Sequence, residues 1–325
     1  MFETFRNRTR FGALLMALVL FSALIVACGS DDDDDPTATT ELPPAAAAPT
    51  RAADPTEEAD PTEETGPTEE PASGEVKTIE VDAADFAFHG IPETMEADWM
   101  NLHFTNSGAE PHHAQFVKLN NGVTPEELNG ALQNSDPTAA FALVTLAGGP
   151  GAITNGQGVD VALELEEGAY MALCFIGGED GVPHMAKGMT HTFEVTADEG
   201  QSNAAPTADL TLDMHDFGFD IPEGLKAGLA TMEVVNSGEQ PHELVLMKLQ
   251  EGKTLEDVQA WMGAGEEGPP PADFGGGVQV MGAGQSTFVT MDLEAGNYIA
   301  VCFIPDPATG QPHFLLGMLA EFSVE

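Results

Sequence analysis

Basic residues are scarce. The 325-residue chain holds 10 Lys and Arg against 54 Asp and Glu, a formal net charge of -44. No arginine follows Arg51. So dense a polyanion is repelled by nucleic acid and by anionic membrane surfaces, which excludes both as docking partners. It favours a basic partner, a solvating role or a salty habitat. Three cysteines are too few for a fold stapled by disulfides. Tyrosine occurs twice, so its placement carries information. Only one apolar run is long enough to weigh against a membrane, and it lies at the start, Phe11 to Ala27. Apolar residues still make up 42% of the chain, enough for a buried core.

Arg6, Arg8 and Arg10 precede that apolar run. A basic segment followed by a short apolar stretch is the pattern of a secretory signal peptide, with a transmembrane helix as the competing reading. The ending Ile25-Val26-Ala27-Cys28 resembles the bacterial lipobox, which implies cleavage before Cys28 and a lipid on that cysteine. Residues 1–27 are thus expected to be a lipoprotein signal. The mature chain is expected to be extracytoplasmic, anchored to the cell membrane by lipid. Residues 28–75 hold the acidic run Asp31 to Asp35 and three Pro-Thr-Glu-Glu units beginning at Asp54, Asp60 and Gly66. They lack the large side chains that offset ordering entropy, so they read as a disordered tether. At ~3.1 Å per residue, about 45 residues reach on the order of 100 Å.

The rest of the chain is one unit written twice. Asn106-Ser-Gly-Ala-Glu-Pro-His112 returns as Asn236-Ser-Gly-Glu-Gln-Pro-His242. Gly168-Ala-Tyr-Met-Ala-Leu-Cys174 returns as Gly296-Asn-Tyr-Ile-Ala-Val-Cys302, and Pro183-His184 with Met189 as Pro312-His313 with Met318. Asp85-Phe-Ala-Phe and Asp216-Phe-Gly-Phe open the two copies. The expected domains are 76–196 and 208–325, joined by a small-residue linker at 197–207. Alternating stretches at 77–81, 101–105, 159–165 and 170–175 predict strands. Thr124-Pro-Glu-Glu and Thr254-Leu-Glu-Asp predict one short capped helix per copy. Tyr170 and Tyr298 each lie four residues before a cysteine, the placement of a tyrosine corner in a Greek-key sandwich. The expected fold is all-β: two tandem Greek-key β-sandwiches, each with a short helical insert.

Each copy offers a Pro-His, then Cys-x9-His-x4-Met in the first and Cys-x10-His-x4-Met in the second. Two imidazoles, a thiolate and a thioether are the donors that suit a copper ion exchanging one electron. On these motifs the repeats resemble cupredoxins, the type 1 blue copper proteins related to plastocyanin and azurin. The resemblance spans about 250 residues, everything after the tether. It implies ligands at His112, Cys174, His184 and Met189 in the first copy, and at His242, Cys302, His313 and Met318 in the second, with copper at up to two sites. The Cys-to-His loop is longer than in plastocyanin and nearer to those of nitrite reductases.

Simpler readings stand beside this one. A buried Cys is often only a small hydrophobe, and Cys174 and Cys302 could pair with each other in an oxidising compartment. His113 offers itself as a substitute for His112. Neither cysteine has a neighbouring His and no His-x-His occurs, so an electron carrier is expected and not an oxidase. His89, His103, His113, His191 and His215 are expected at surface or packing positions. An apolar rim at Phe303-Ile304-Pro305 and Phe314-Leu315-Leu316 is expected near the second site, with a more polar rim near the first. The expected partner is a redox protein with a basic docking surface. The competing functions are a copper-buffering or copper-delivery lipoprotein and a metal-free structural sandwich.

Overall fold

The computed structural model describes residues 76–133, 138–198, 200, 203–265 and 268–325. The signal sequence, Cys28 and the tether lie outside the described residues. In chain order the first copy contributes β1 (Lys77–Ala84), β2 (Ala87–His89), β3 (Thr94–Glu96), β4 (Asp98–Asn106) and β5 (Gln115–Leu119). The helices α1 (Pro125–Leu132) and α2 (Thr138–Phe141) follow, then β6 (Val144–Leu146), β7 (Gly158–Leu165), β8 (Gly168–Leu173) and β9 (Thr190–Thr196). The second copy contributes β10 (Leu210–His215), β11 (Gly218–Asp220), β12 (Gly228–Asn236), β13 (His242–Leu249), α3 (Leu255–Gly263), β14 (Ala272–Met281), β15 (Ser286–Leu293), β16 (Gly296–Val301) and β17 (Leu319–Val324). The architecture is an all-β sandwich.

Alternation makes these strands two-faced. In β4, Met100, Leu102, Phe104 and Asn106 are buried while the residues between them are only partly so, as a sheet with one face on a core requires. Both predicted helices form where their caps stand. Thr124 and Thr254 each accept a hydrogen bond from the backbone N–H three residues on, and Glu127 and Asp257 reach back to complete capping boxes. Both tyrosine corners close, Tyr170 Oη donating to Glu166 O at 2.9 Å and Tyr298 Oη to Glu294 O at 3.1 Å.

A single eight-stranded sheet, in the order β11-β10-β12-β15-β7-β4-β1-β2, runs through both copies. β3-β9-β8-β5-β6 back it in the first copy and β14-β13-β16-β17 in the second. The copies join antiparallel through β7 and β15, where Val161 lies opposite Val289. Behind that sheet, Pro150 bridges Val278. Val289 is the repeat counterpart of Val161, and Val278 that of Pro150. The two copies therefore meet about a local two-fold axis, the self-complementary geometry of an isologous dimer. Gln115 breaks this symmetry, because its counterpart is Val245. Its amide donates to Phe116 O, Gly148 O and Val280 O and accepts from Val280 N–H. One buried side chain thus ties the first copy's ligand segment to the second copy.

Candidate metal centres

In the first copy, His112 precedes β5 and is held by paired backbone bonds to Ile153. Cys174 follows β8. His184 opens a short 3-10 turn, His184–Lys187, folded back onto the cysteine by Met185 N–H to Cys174 O and His184 N–H to Ile176 O. Met189 N–H then bonds His184 O, and Cys174 N–H bonds Met189 O. The second copy repeats each step: His242 pairs with Met281, Phe314 N–H bonds Cys302 O, Met318 N–H bonds His313 O, and Cys302 N–H bonds Met318 O. The distance in sequence between the donors is thus closed by main-chain bonds.

The donor atoms of His112, Cys174 and His184 lie within 4.8 Å of one another, as do those of His242, Cys302 and His313. The two facing Nδ1 atoms are 3.0 Å apart in both copies. The sulfur lies 3.6 Å from His184 Nδ1, and 3.5 and 4.0 Å from His313 and His242 Nδ1. All six residues are 0% exposed, as are Met189 and Met318. The structure therefore brings each half's expected Cys and two His together, and the backbone of the expected Met bonds to both Cys and His segments. Cys174 and Cys302 are free, each beside its own histidine pair and not bonded to the other.

The outer ring nitrogens decide how these donors behave. His184 Nε2 lies 2.5 Å from Glu110 Oε2, and His112 Nε2 3.6 Å from Asp85 Oδ1. His242 Nε2 lies 2.9 Å from Asp216 Oδ1 and His313 Nε2 3.1 Å from Gln240 Oε1. Oxygen acceptors outside place the ring proton on Nε2 of His184, His242 and His313 and turn their Nδ1 inward as a bare lone pair, whereas His112 Nε2 makes no hydrogen bond. In the second copy two such lone pairs face at 3.0 Å beside a sulfur and repel unless a cation stands among them. Separations of 3.0–4.0 Å suit donors bonded to one first-row ion at about 2.0–2.3 Å, and a soft sulfur with two imidazoles fits copper.

Burial holds both thiols protonated until a cation arrives. Cys174 is pushed up to about 11 and Cys302 is raised further. The same desolvation lowers His112, His242 and His313, keeping those rings neutral.

His113 is not among the donors. Its Nε2 accepts the Phe175 N–H at 2.7 Å, and burial drives its pKa down to about 3. The counterpart Glu243 accepts the Phe303 N–H at 3.0 Å and is pushed up to about 7 by burial. Each braces the residue that follows the cysteine.

Several residues of the site were not singled out as site residues by sequence reasoning. Asp85 and Phe86, on the β1–β2 turn, deliver a carboxylate to His112 and an edge-to-face ring to His184; Asp216 and Phe217 do so in the second copy. Asn106 and Asn236 organise the ligand loops, each donating to two carbonyls and accepting from Gly108 or Gly238. Those glycines are required: a Cβ on Gly108 would stand 2.6 Å from both Asp85 Oδ1 and His112 Nε2. The available signal was repetition, since Asp-Phe and Asn-Ser-Gly recur in both copies.

The rims differ from expectation. Leu315 is 62% exposed beside the second centre, but Phe175 and Val182 are also exposed beside the first, at 39% and 40%. Both centres therefore have an apolar rim, and no ligand ring reaches the surface.

No family model matches the chain, and no curated protein matches it. Among solved structures it is similar to auracyanin from Roseiflexus castenholzii, at 22% identity over 38% of this chain and 99% of that one, with a TM-score of 0.27. A multicopper oxidase is 17% identical over 77% and 89% of the two chains, at a TM-score of 0.25. A copper nitrite reductase from Nitrosomonas europaea is 14% identical over 77% and 94%, at 0.24.

Proposed function

We propose that this protein is a two-centre copper protein of the blue type that carries single electrons outside the cytoplasm, tethered by a lipid on Cys28. The observation that supports it is the convergence, twice, of one buried sulfur and two imidazole Nδ1 atoms within 4.8 Å. Copper bound there would supply one-electron redox chemistry. His112, Cys174, His184 and Met189 would hold one ion, and His242, Cys302, His313 and Met318 the other.

The chain's own contribution is rigidity and dryness. The donors are positioned by backbone bonds among the Cys, His and Met segments, so little must move when charge changes. Phe86, Phe217 and the surrounding core keep water from the imidazoles. Asp216, Glu110 and Gln240 fix the tautomer that turns Nδ1 inward at His242, His184 and His313. The sulfur gives up its proton on binding the cation. A redox partner would meet the apolar rims at Phe175 and Val182 or at Leu315, and the acidic surface would steer a basic one, weakly at high salt.

Buried ligands favour a carrier over a delivery protein, which needs exchangeable sites. The test is to load the purified chain with Cu(II). An intense blue or green thiolate-to-copper band with reversible reduction is expected. Binding without that band indicates a buffering or delivery role, and no binding leaves a metal-free sandwich.

A further inference from the structure

We propose that Glu110 and its repeat counterpart Gln240 set the two centres at different reduction potentials, with the first centre the lower. This inference rests on the copper reading above. The residue two places before the first Pro-His ligand reaches across to the second imidazole in both copies. In the first copy it is a carboxylate, 2.5 Å from His184 Nε2; in the second it is an amide, whose oxygen lies 3.1 Å from His313 Nε2. The ring, its backbone cradle and its edge-to-face phenylalanine are otherwise alike. The substitution therefore changes the charge at this hydrogen bond.

A carboxylate accepting from the outer N–H makes an imidazole a stronger donor and places negative charge near the ion. Both effects favour the more highly charged oxidation state. Glu110 and the more distant Asp85 lie against the ligand rings of the first centre; Asp216 lies against His242 of the second, with Asp306 behind Gln240. The other charged groups nearby make no hydrogen bond to a ligand ring. Glu243 accepts from Phe303 N–H, and Asp306 from the Thr309 N–H and hydroxyl. Lys187 pairs with Asp180 while lying over the Phe86 ring. An electron entering the protein would then come to rest on the second centre.

The experiment uses the full chain in detergent, with Cys302→Ser isolating the first centre and Cys174→Ser the second. Each is loaded with copper and titrated spectroelectrochemically. Glu110→Gln is expected to raise the first centre's midpoint, and Gln240→Glu to lower the second's. Each should change the Cu(II)/Cu(I) binding ratio about tenfold, about 59 mV for a one-electron couple. Opposite shifts at the two centres are not produced by simple loosening of the fold. In the metal-free chain, the His184 Nε2–H proton resonance should move upfield in Glu110→Gln while that of His112 stays. Midpoints that change by less than threefold in that ratio, or that move in the same direction, overturn the inference; larger opposite shifts support it. If not even the parent chain develops the thiolate-to-copper band, the copper reading falls and this inference with it.

Discussion

Phe86 and His184 meet edge to face, ring centroids 5.2 Å apart and planes at 70°, although Phe86 holds the left-handed backbone at φ 65°. Phe217 and His313 repeat the relationship, with Phe217 at φ 66°. A bulky residue in that region is a steric outlier, costing on the order of 1–2 kcal/mol. The strain recurs at equivalent positions because the same turn must point Asp85 at one imidazole and Phe86 at the other.

The strain predicts an inverted substitution order. At an ordinary site Ala is more stabilising than Gly. At position 86, Phe86→Gly should be more stable than Phe86→Ala by about 1 kcal/mol, because only glycine adopts this φ without cost. Chemical denaturation of the two metal-free variants measures it, and an Ala variant of equal or greater stability would count against strain at this turn.

Metal uptake should release protons. The thiols are protonated at neutral pH, because burial raises both, while His112, His242 and His313 are kept neutral. Copper binding at pH 7.5 should therefore liberate about one proton per centre. A pH-stat titration reads this directly, and Cys174→Ser should halve the yield.

Tyr170 sets an alkaline limit. Burial pushes its hydroxyl up to about 12, against about 10 in the unfolded chain. The folded state then binds the extra proton between those values. Its stabilising contribution is whole below pH 10 and is lost as pH rises through 12. Tyr170→Phe should cost about 1 kcal/mol at pH 7, from the lost bond to Glu166 O. It should also lose less stability than the parent between pH 10 and 12. Parallel urea curves at pH 7 and 11 decide it.

Gln115 should hold the seam. Replacing it by valine, the residue at its counterpart position 245, strips Val280 N–H of its partner, while Val280 O keeps the Gly148 N–H. A buried polar group left unpaired costs about 1–3 kcal/mol, so Gln115→Val should lose about 1–3 kcal/mol. Faster hydrogen exchange at Val280 N–H would localise the loss. Unchanged exchange there would show that the amide is not what ties the copies together.

Much of the fold is legible in the sequence because its signals are local. Thr124 and Thr254 announce helix starts within four residues, and Tyr170 and Tyr298 announce corners at a fixed offset from each cysteine. The donor set is legible because the repeat presents the same four residue types twice. His113 was the ambiguous case: beside His112 in sequence, it points to the Phe175 N–H, because successive residues of an extended segment face opposite ways.

From sequence alone came the duplication, the all-β class and the residue types able to hold a soft ion. Only the tertiary structure decided that Glu110 and Gln240 each accept from the second imidazole of their copy, that the Asp-Phe turns cover the imidazoles, and that the two copies share one sheet about a local two-fold. Those relationships depend on where strands some 25 to 130 residues apart come to lie. Pairing across a sheet is fixed by packing and backbone bonding, which no local pattern of residues records.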